Sequence, residues 1–224
     1  MLVFIVLLPV FDLDRRVQAL EAGVINRISS SVLCLSYSDE VGEMIATALV
    51  WDYRADEVLI LTNYHTWVGE EFKYCFPPTP DKPRQRKRKA AEVEHNHVTL
   101  KLHNEHFQHE FVVTSDLFMC CNKGEDYAVL KFPINGFTMQ RIPVNLGVYP
   151  TMYVHAFGYV GHTKVLNIAA GEVSELIPQG FTMNLLSASG YSGAAIIADG
   201  FGRAVGYMGR HLDVGTKMNS QHQS

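Results

Sequence analysis

The chain is 224 residues long, 47% of them apolar, with 19 Lys and Arg against 23 Asp and Glu for a formal charge of −4. That is enough chain for one double-barrel domain, or two small ones, with a sizeable core. So mild a charge supplies no field that would argue for a nucleic-acid partner, and the apolar run at residues 2–10 is far short of the roughly 20 residues a membrane-spanning helix needs.

Residues 2–10 are nearly all apolar and include Pro9. No Lys or Arg precedes them and no small-x-small cleavage site follows, so the run reads as a buried or partner-covered N-terminal strand in preference to a cleaved leader. A short amphipathic segment is expected across 14–28, completing an N-terminal region of residues 1–29. From residue 30 the pattern turns to β. Runs at 31–37, 43–53 and 57–62 are rich in Val, Ile, Leu, Thr and Tyr and are separated by turn residues. Three more, at 97–102, 110–119 and 127–132, bring the count to six. Six antiparallel strands close one small barrel, here residues 30–132, and leave no open edge.

Inside that barrel Pro77-Pro78-Thr79-Pro80 stiffens the base of a run of Lys and Arg at residues 81–89. Packed like charges repel one another and resist burial, so this is an exposed, solvated loop; a nuclear-localisation signal or an anion-binding patch are the sharper readings. His95, His97, His103, His106 and His109 follow. They fit no zinc spacing with a cysteine pair, so a polar hairpin is expected and no metal or cofactor. Cys34, Cys75, Cys120 and Cys121 read as free thiols in a reducing compartment, which favours the cell interior, cytoplasm or nucleus, with secretion left open.

Pro133-Ile134-Asn135-Gly136 reads as a linker to a second barrel, residues 133–210, with strands at 152–159, 164–176, 180–186, 194–198 and 203–208. Residues 211–224 are polar and look like a tail. A sixth strand is hard to find, so the second barrel is either incomplete or closed in another way.

Three short motifs carry chemistry. Leu61-Thr62-Asn63-Tyr64-His65 ends an apolar strand on a histidine, Asp126-Tyr127-Ala128-Val129-Leu130-Lys131 opens a strand with an aspartate, and Gly190-Tyr191-Ser192-Gly193 holds a serine between two glycines. A hydroxyl is a poor nucleophile at neutral pH and needs a neighbouring base; that base needs a carboxylate to fix its tautomer. His65, Asp126 and Ser192 supply the three roles.

On these motifs the chain resembles the chymotrypsin-fold serine endopeptidases, closest to the high-temperature-requirement (Deg) type, from about residue 30 to 209. The order His, Asp, Ser is that of this fold, whereas α/β-hydrolases run Ser, Asp, His. The resemblance implies an all-β chain of two six-stranded antiparallel Greek-key barrels, the second one open to being incomplete. Two departures stand out: Tyr191 lies where the family usually has an acidic or amide residue, and Ala194-Ala195 follow Gly193 where it has Gly-Pro or Gly-small. On this length, the C-terminal peptide-binding module that Deg-type proteases often carry is not expected within these residues.

The implied activity is peptide-bond hydrolysis through an acyl-enzyme, with His65 as base, Asp126 orienting it, Ser192 as nucleophile, and the Gly190 and Ser192 N–H groups as oxyanion hole. Leu186, Ser187, Gly206, Tyr207 and Met208 are expected to line the pocket before the cleaved bond. The expected partner is a polypeptide substrate; self-association as a homo-oligomer stays open. A protease-fold binding protein without activity and an unrelated β-rich interaction domain are the alternatives, because folds are reused.

Overall fold

In the computed structural model, residues 20–38, 43–67, 98–134, 136–145, 147–161, 163–178, 180–198 and 201–209 are described. The apolar run 2–10, the segment 77–89, His95, His97, Cys75 and the tail 211–224 lie outside them. Among the described residues one α-helix, α1 (Ala22–Ser31), precedes twelve strands. In chain order they are β1 (Val32–Ser38), β2 (Glu43–Arg54), β3 (Glu57–Thr62), β4 (Thr99–His103), β5 (Gln108–Val112), β6 (Phe118–Asn122), β7 (Tyr127–Pro133), β8 (Tyr153–Val160), β9 (Val165–Ile177), β10 (Gly180–Leu185), β11 (Ala195–Ile197) and β12 (Ala204–Tyr207).

They form two curled antiparallel sheets, each a half-barrel. The first has seven strands in the order β5-β4-β1-β2-β3-β7-β6, the second five in the order β10-β9-β8-β11-β12. Among the described residues the first sheet has seven strands where six were expected, and the second has the five read from the sequence. The run expected at 110–119 divides, because Thr114-Ser115-Asp116 favour a turn and a 3-10 turn at Ser115–Leu117 separates β5 from β6. Of the amphipathic segment expected across 14–28, residues 14–19 lie outside the described residues, and the described helix runs past 28 to Ser31. The Ser30 and Ser31 hydroxyls donate back to the Arg27 carbonyl at 2.8 and 3.2 Å, carrying α1 through a serine run that reads as the start of a strand.

Several central strands are apolar throughout because successive side chains enter different cores. On β3, Val58 and Ile60 point into the first barrel, and Leu59 and Leu61 into a cluster between the sheets. On β8, Val154 and Ala156 fill the second barrel, while Phe157 and Tyr159 meet Leu59 and Leu61 in the shared cluster. Val24 and Ile28, four residues apart on one face of α1, cover the same cluster together with Leu20 just before the helix. Burying such residues stabilises by about 1.5–3 kcal/mol each, so the junction is built like a core and holds the two sheets face to face.

Among the described residues Cys34 is buried, Cys121 half-buried and Cys120 exposed, and none of the three is in a disulfide. His103 and His109 lie on the β4–β5 hairpin. The His109 ring packs 5.7 Å from Phe132 and 5.8 Å from Phe137, centroid to centroid. No described helix is long and apolar enough to cross a membrane.

Candidate active site

β3 ends at Thr62, and the chain turns through Asn63 and Tyr64 into a single 3-10 turn, His65–Trp67. Trp67 is buried in the first barrel with its ring 5.1 Å from Phe118, which anchors the turn and leaves His65 at the rim. About a quarter of the His65 side chain stays open to solvent; it is therefore both held and reachable.

Asp126 closes the turn between β6 and β7. The Asn122 side-chain oxygen accepts from the Gly124 and Glu125 N–H groups at 2.8 and 3.1 Å, an Asx turn that brings the chain round. Asp126 adopts φ +56°, a left-handed conformation open chiefly to Gly, Asn and Asp. Its carbonyl accepts from the Tyr64 N–H at 3.2 Å and from the Asn63 amide at 3.0 Å. Asn63 is fully buried, so the amide is committed to this contact. The carboxylate faces His65 squarely: Oδ1 accepts from the His65 N–H at 2.9 Å and Oδ2 lies 2.7 Å from Nδ1. With Nδ1 as the donor to that carboxylate, Nε2 is left as the acceptor.

Nε2 lies 2.9 Å from Ser192 Oγ, which arrives from the second sheet. The serine turn is shaped by two glycines in the left-handed region, Gly190 at φ +99° and Gly193 at φ +87°. A Cβ on Gly193 would stand 2.0 Å from the Thr47 carbonyl oxygen, and one on Gly190 2.4 Å from that of Tyr159. Only glycine fits either place.

Thr47, fully buried on β2, binds this turn to the first sheet. Its N–H donates to the Ser192 carbonyl at 2.7 Å, and its hydroxyl donates to the Gly190 carbonyl at 2.8 Å while accepting from the Tyr159 N–H at 2.9 Å. The Thr62 hydroxyl donates to the Thr47 carbonyl at 3.0 Å, so the strand ending near His65 joins the same network.

Two peptide planes in the turn are tied through their carbonyls. Gly161 N–H donates to Ser189 O at 2.7 Å and Ala194 N–H to Tyr191 O at 2.8 Å. In a trans peptide N–H and C=O point oppositely, so the Gly190 and Ser192 N–H groups face away from those donors. The main-chain hydrogen bonds of the turn use neither of them.

The departures at Tyr191 and Ala194 share one accommodation. Both side chains are buried against Gly158, where a Cβ would meet Ala194 Cβ at 2.9 Å and Tyr191 Cδ1 at 3.0 Å. The Ala194 methyl thus has its own space. Burial raises the Tyr191 phenol above its usual pKa, and its hydroxyl donates to Asn167 Oδ1 at 2.8 Å.

The residues expected around the substrate pocket divide. Leu186 is 90% exposed and Ser187 is exposed beside it. A Cβ on Gly206 would lie 3.2 Å from the Phe181 ring, so that wall is aromatic. Met208 pairs with the serine turn, accepting from Gly193 N–H at 2.9 Å and donating to Ala194 O at 2.8 Å. Tyr207 goes elsewhere, since its hydroxyl donates to the Glu125 carbonyl at 2.7 Å, in the turn that carries Asp126. Sequence reasoning missed Thr47, Asn63, Gly158 and Gly161. A lone hydroxyl inside Met44-Ile45-Ala46-Thr47-Ala48-Leu49 was the one available signal for Thr47.

No protein-family model matches the chain, and no curated protein matches its sequence. Solved structures do match. A serine endoprotease from Yersinia pestis aligns with TM-score 0.55 at 16% identity, covering 82% of this chain and 55% of that one. Deg5 aligns with TM-score 0.57 at 17% identity, covering 88% and 84%. The HtrA-type protease AlgW, solved with a tripeptide, aligns with TM-score 0.56 at 15% identity, covering 83% and 52%. The chain therefore has the two-barrel fold of these serine proteases, and it spans about half the length of the Yersinia and AlgW chains.

Proposed function

We propose that the chain is a serine endopeptidase working through an acyl-enzyme, with His65, Asp126 and Ser192 as its catalytic residues. The supporting observation is the unbroken run from Asp126 Oδ2 to His65 Nδ1 at 2.7 Å and from His65 Nε2 to Ser192 Oγ at 2.9 Å. As the Ser192 Oγ bonds to a peptide carbonyl carbon, its proton passes to Nε2, and Asp126 stabilises the imidazolium. The carbonyl oxygen takes the electron pair and is held by the Gly190 and Ser192 N–H groups, each such donor being worth about 100- to 1,000-fold in rate. Collapse of the adduct breaks the C–N bond, and Nε2–H protonates the leaving amine. Water then repeats the sequence on the ester and restores Ser192. Gly161 and Ala194, by holding the two carbonyls, set the donors before substrate arrives.

A fluorophosphonate probe tests this reading. It is expected to label the native protein and neither Ser192→Ala nor His65→Ala. A folded native protein that stays unlabelled would favour the inactive binding protein of the same fold.

A further inference from the structure

Tyr207 takes part in both halves of the site. Its main chain pairs with Ala195 on β11, three residues after Ser192, and the neighbouring Met208 carbonyl accepts from Gly193. Its side chain leaves that sheet, crosses to the first one and donates to the Glu125 carbonyl at 2.7 Å. That carbonyl belongs to the peptide immediately before Asp126. Rotation of this peptide is the φ angle of Asp126, held at +56°, a left-handed value that Asp tolerates better than most residues with a Cβ but does not adopt by default. On the other side of Asp126 the carbonyl is fixed by Tyr64 and Asn63. The two peptides flanking the aspartate Cα are therefore each hydrogen-bonded, one from its own sheet and one from Tyr207.

We propose that Tyr207 is a positioning residue for Asp126, its hydroxyl reaching from β12 across the cleft to lock the left-handed turn that aims the carboxylate at His65. The proposal deepens the peptidase reading and rests on it. It also reassigns Tyr207, which leaves the wall of the substrate pocket and becomes the strut that registers the aspartate turn against the serine turn. The substrate need not touch it.

The test is Tyr207→Phe in the full chain, which removes one oxygen and keeps the ring. A half-exposed hydrogen bond contributes modestly, so the second-order rate of fluorophosphonate labelling and kcat on a peptide are expected to fall about 5- to 10-fold with KM unchanged. The downfield proton resonance of His65 Nδ1–H is expected to shift or broaden. Replacing Tyr207 by p-aminophenylalanine, whose ring N–H also donates, is expected to restore both. A rise in KM with kcat unchanged would return Tyr207 to the pocket wall and overturn the proposal. So would a lowered melting temperature with an unmoved resonance, which marks a merely structural bond. If the native protein is not labelled at all, the peptidase reading fails while the resonance still decides whether Tyr207 orients Asp126.

Discussion

Thr47→Val is the sharpest test of how the two sheets are joined at the serine turn. The substitution keeps the branched shape and deletes the hydroxyl that donates to the Gly190 carbonyl at 2.8 Å and accepts from the Tyr159 N–H at 2.9 Å. Thr47 is fully buried, so water cannot take over either partner. An orphaned buried group costs about 1–3 kcal/mol, and the added methyl returns about 1 kcal/mol of burial. With two groups orphaned, the Gly190 carbonyl and the Tyr159 N–H, the net loss is about 1–5 kcal/mol, centred near 3. Urea unfolding followed by the fluorescence of buried Trp67 should show it as a midpoint lower by about 1 M, given slopes of roughly 2–3 kcal/mol per M. Labelling of Ser192 should slow by up to about 100-fold, because the Gly190–Tyr191 peptide loses its tie and the Gly190 and Ser192 N–H donors on either side of it can shift by up to about 1 Å. Thr47→Ser, which keeps the hydroxyl, should lose only about 1 kcal/mol and label normally. A Val variant within about 0.5 kcal/mol of the native protein, labelled at the native rate, would refute the role given to Thr47.

Gly193→Ala would place a methyl 2.0 Å from the Thr47 carbonyl oxygen at φ +87°; it should lose all probe labelling and more than about 3 kcal/mol of urea stability. Gly158→Ala, whose Cβ would stand 2.9 Å from Ala194 Cβ, should destabilise by about 1–3 kcal/mol. Adding Ala194→Gly should recover part of that, and a double-mutant cycle with no coupling would sink the shared-space account. No acidic residue is found among Leu186, Ser187, Gly206 and Met208, so peptide libraries should be cut after small or medium apolar residues; cleavage chiefly after Arg or Lys would contradict this. Burial, reinforced by the Asp126 and Glu125 carboxylates, pushes the Tyr207 phenol up to about 12 from its usual 10. A folded-state value above the unfolded one favours folding below pH 10, and the benefit is lost as pH climbs from about 10 to about 12. Two units would be about 2.7 kcal/mol, reduced to about 1 kcal/mol for a half-exposed group. Urea titrations of the native protein and Tyr207→Phe should converge by that amount over this window, and parallel curves would count against it.

The three chemical residues were legible because each sits in a short, local pattern. His65 ends an apolar strand, Asp126 begins one, and Ser192 lies between glycines. β3 and β8 were legible for a related reason, since strands buried on both faces are mostly apolar, unbroken over Val58–Leu61 and interrupted in β8 chiefly by His155, and stand out from their neighbours. The break at Ser115–Leu117 was hidden by Val113, Leu117 and Phe118, which fill the first core on both sides of the turn and keep the run apolar. That α1 runs on to Ser31 was hidden because serine hydroxyls can bond back to the helix as readily as leave it. Thr47 and Tyr207 were beyond reach in principle. Their bonds to Gly190 and Glu125 span 143 and 82 residues, and nothing local to either residue encodes a partner so far along the chain.

The imidazole and carboxylate ride on one half of the molecule and the alcohol on the other, so the proposed reaction centre belongs to neither half. Heat or pressure that parts the halves by about 1 Å would cost roughly 100-fold in turnover while every ladder within each sheet stayed intact. Inactivation should then run ahead of any change in circular dichroism. Turnover thus serves as a gauge of how tightly the seam is shut.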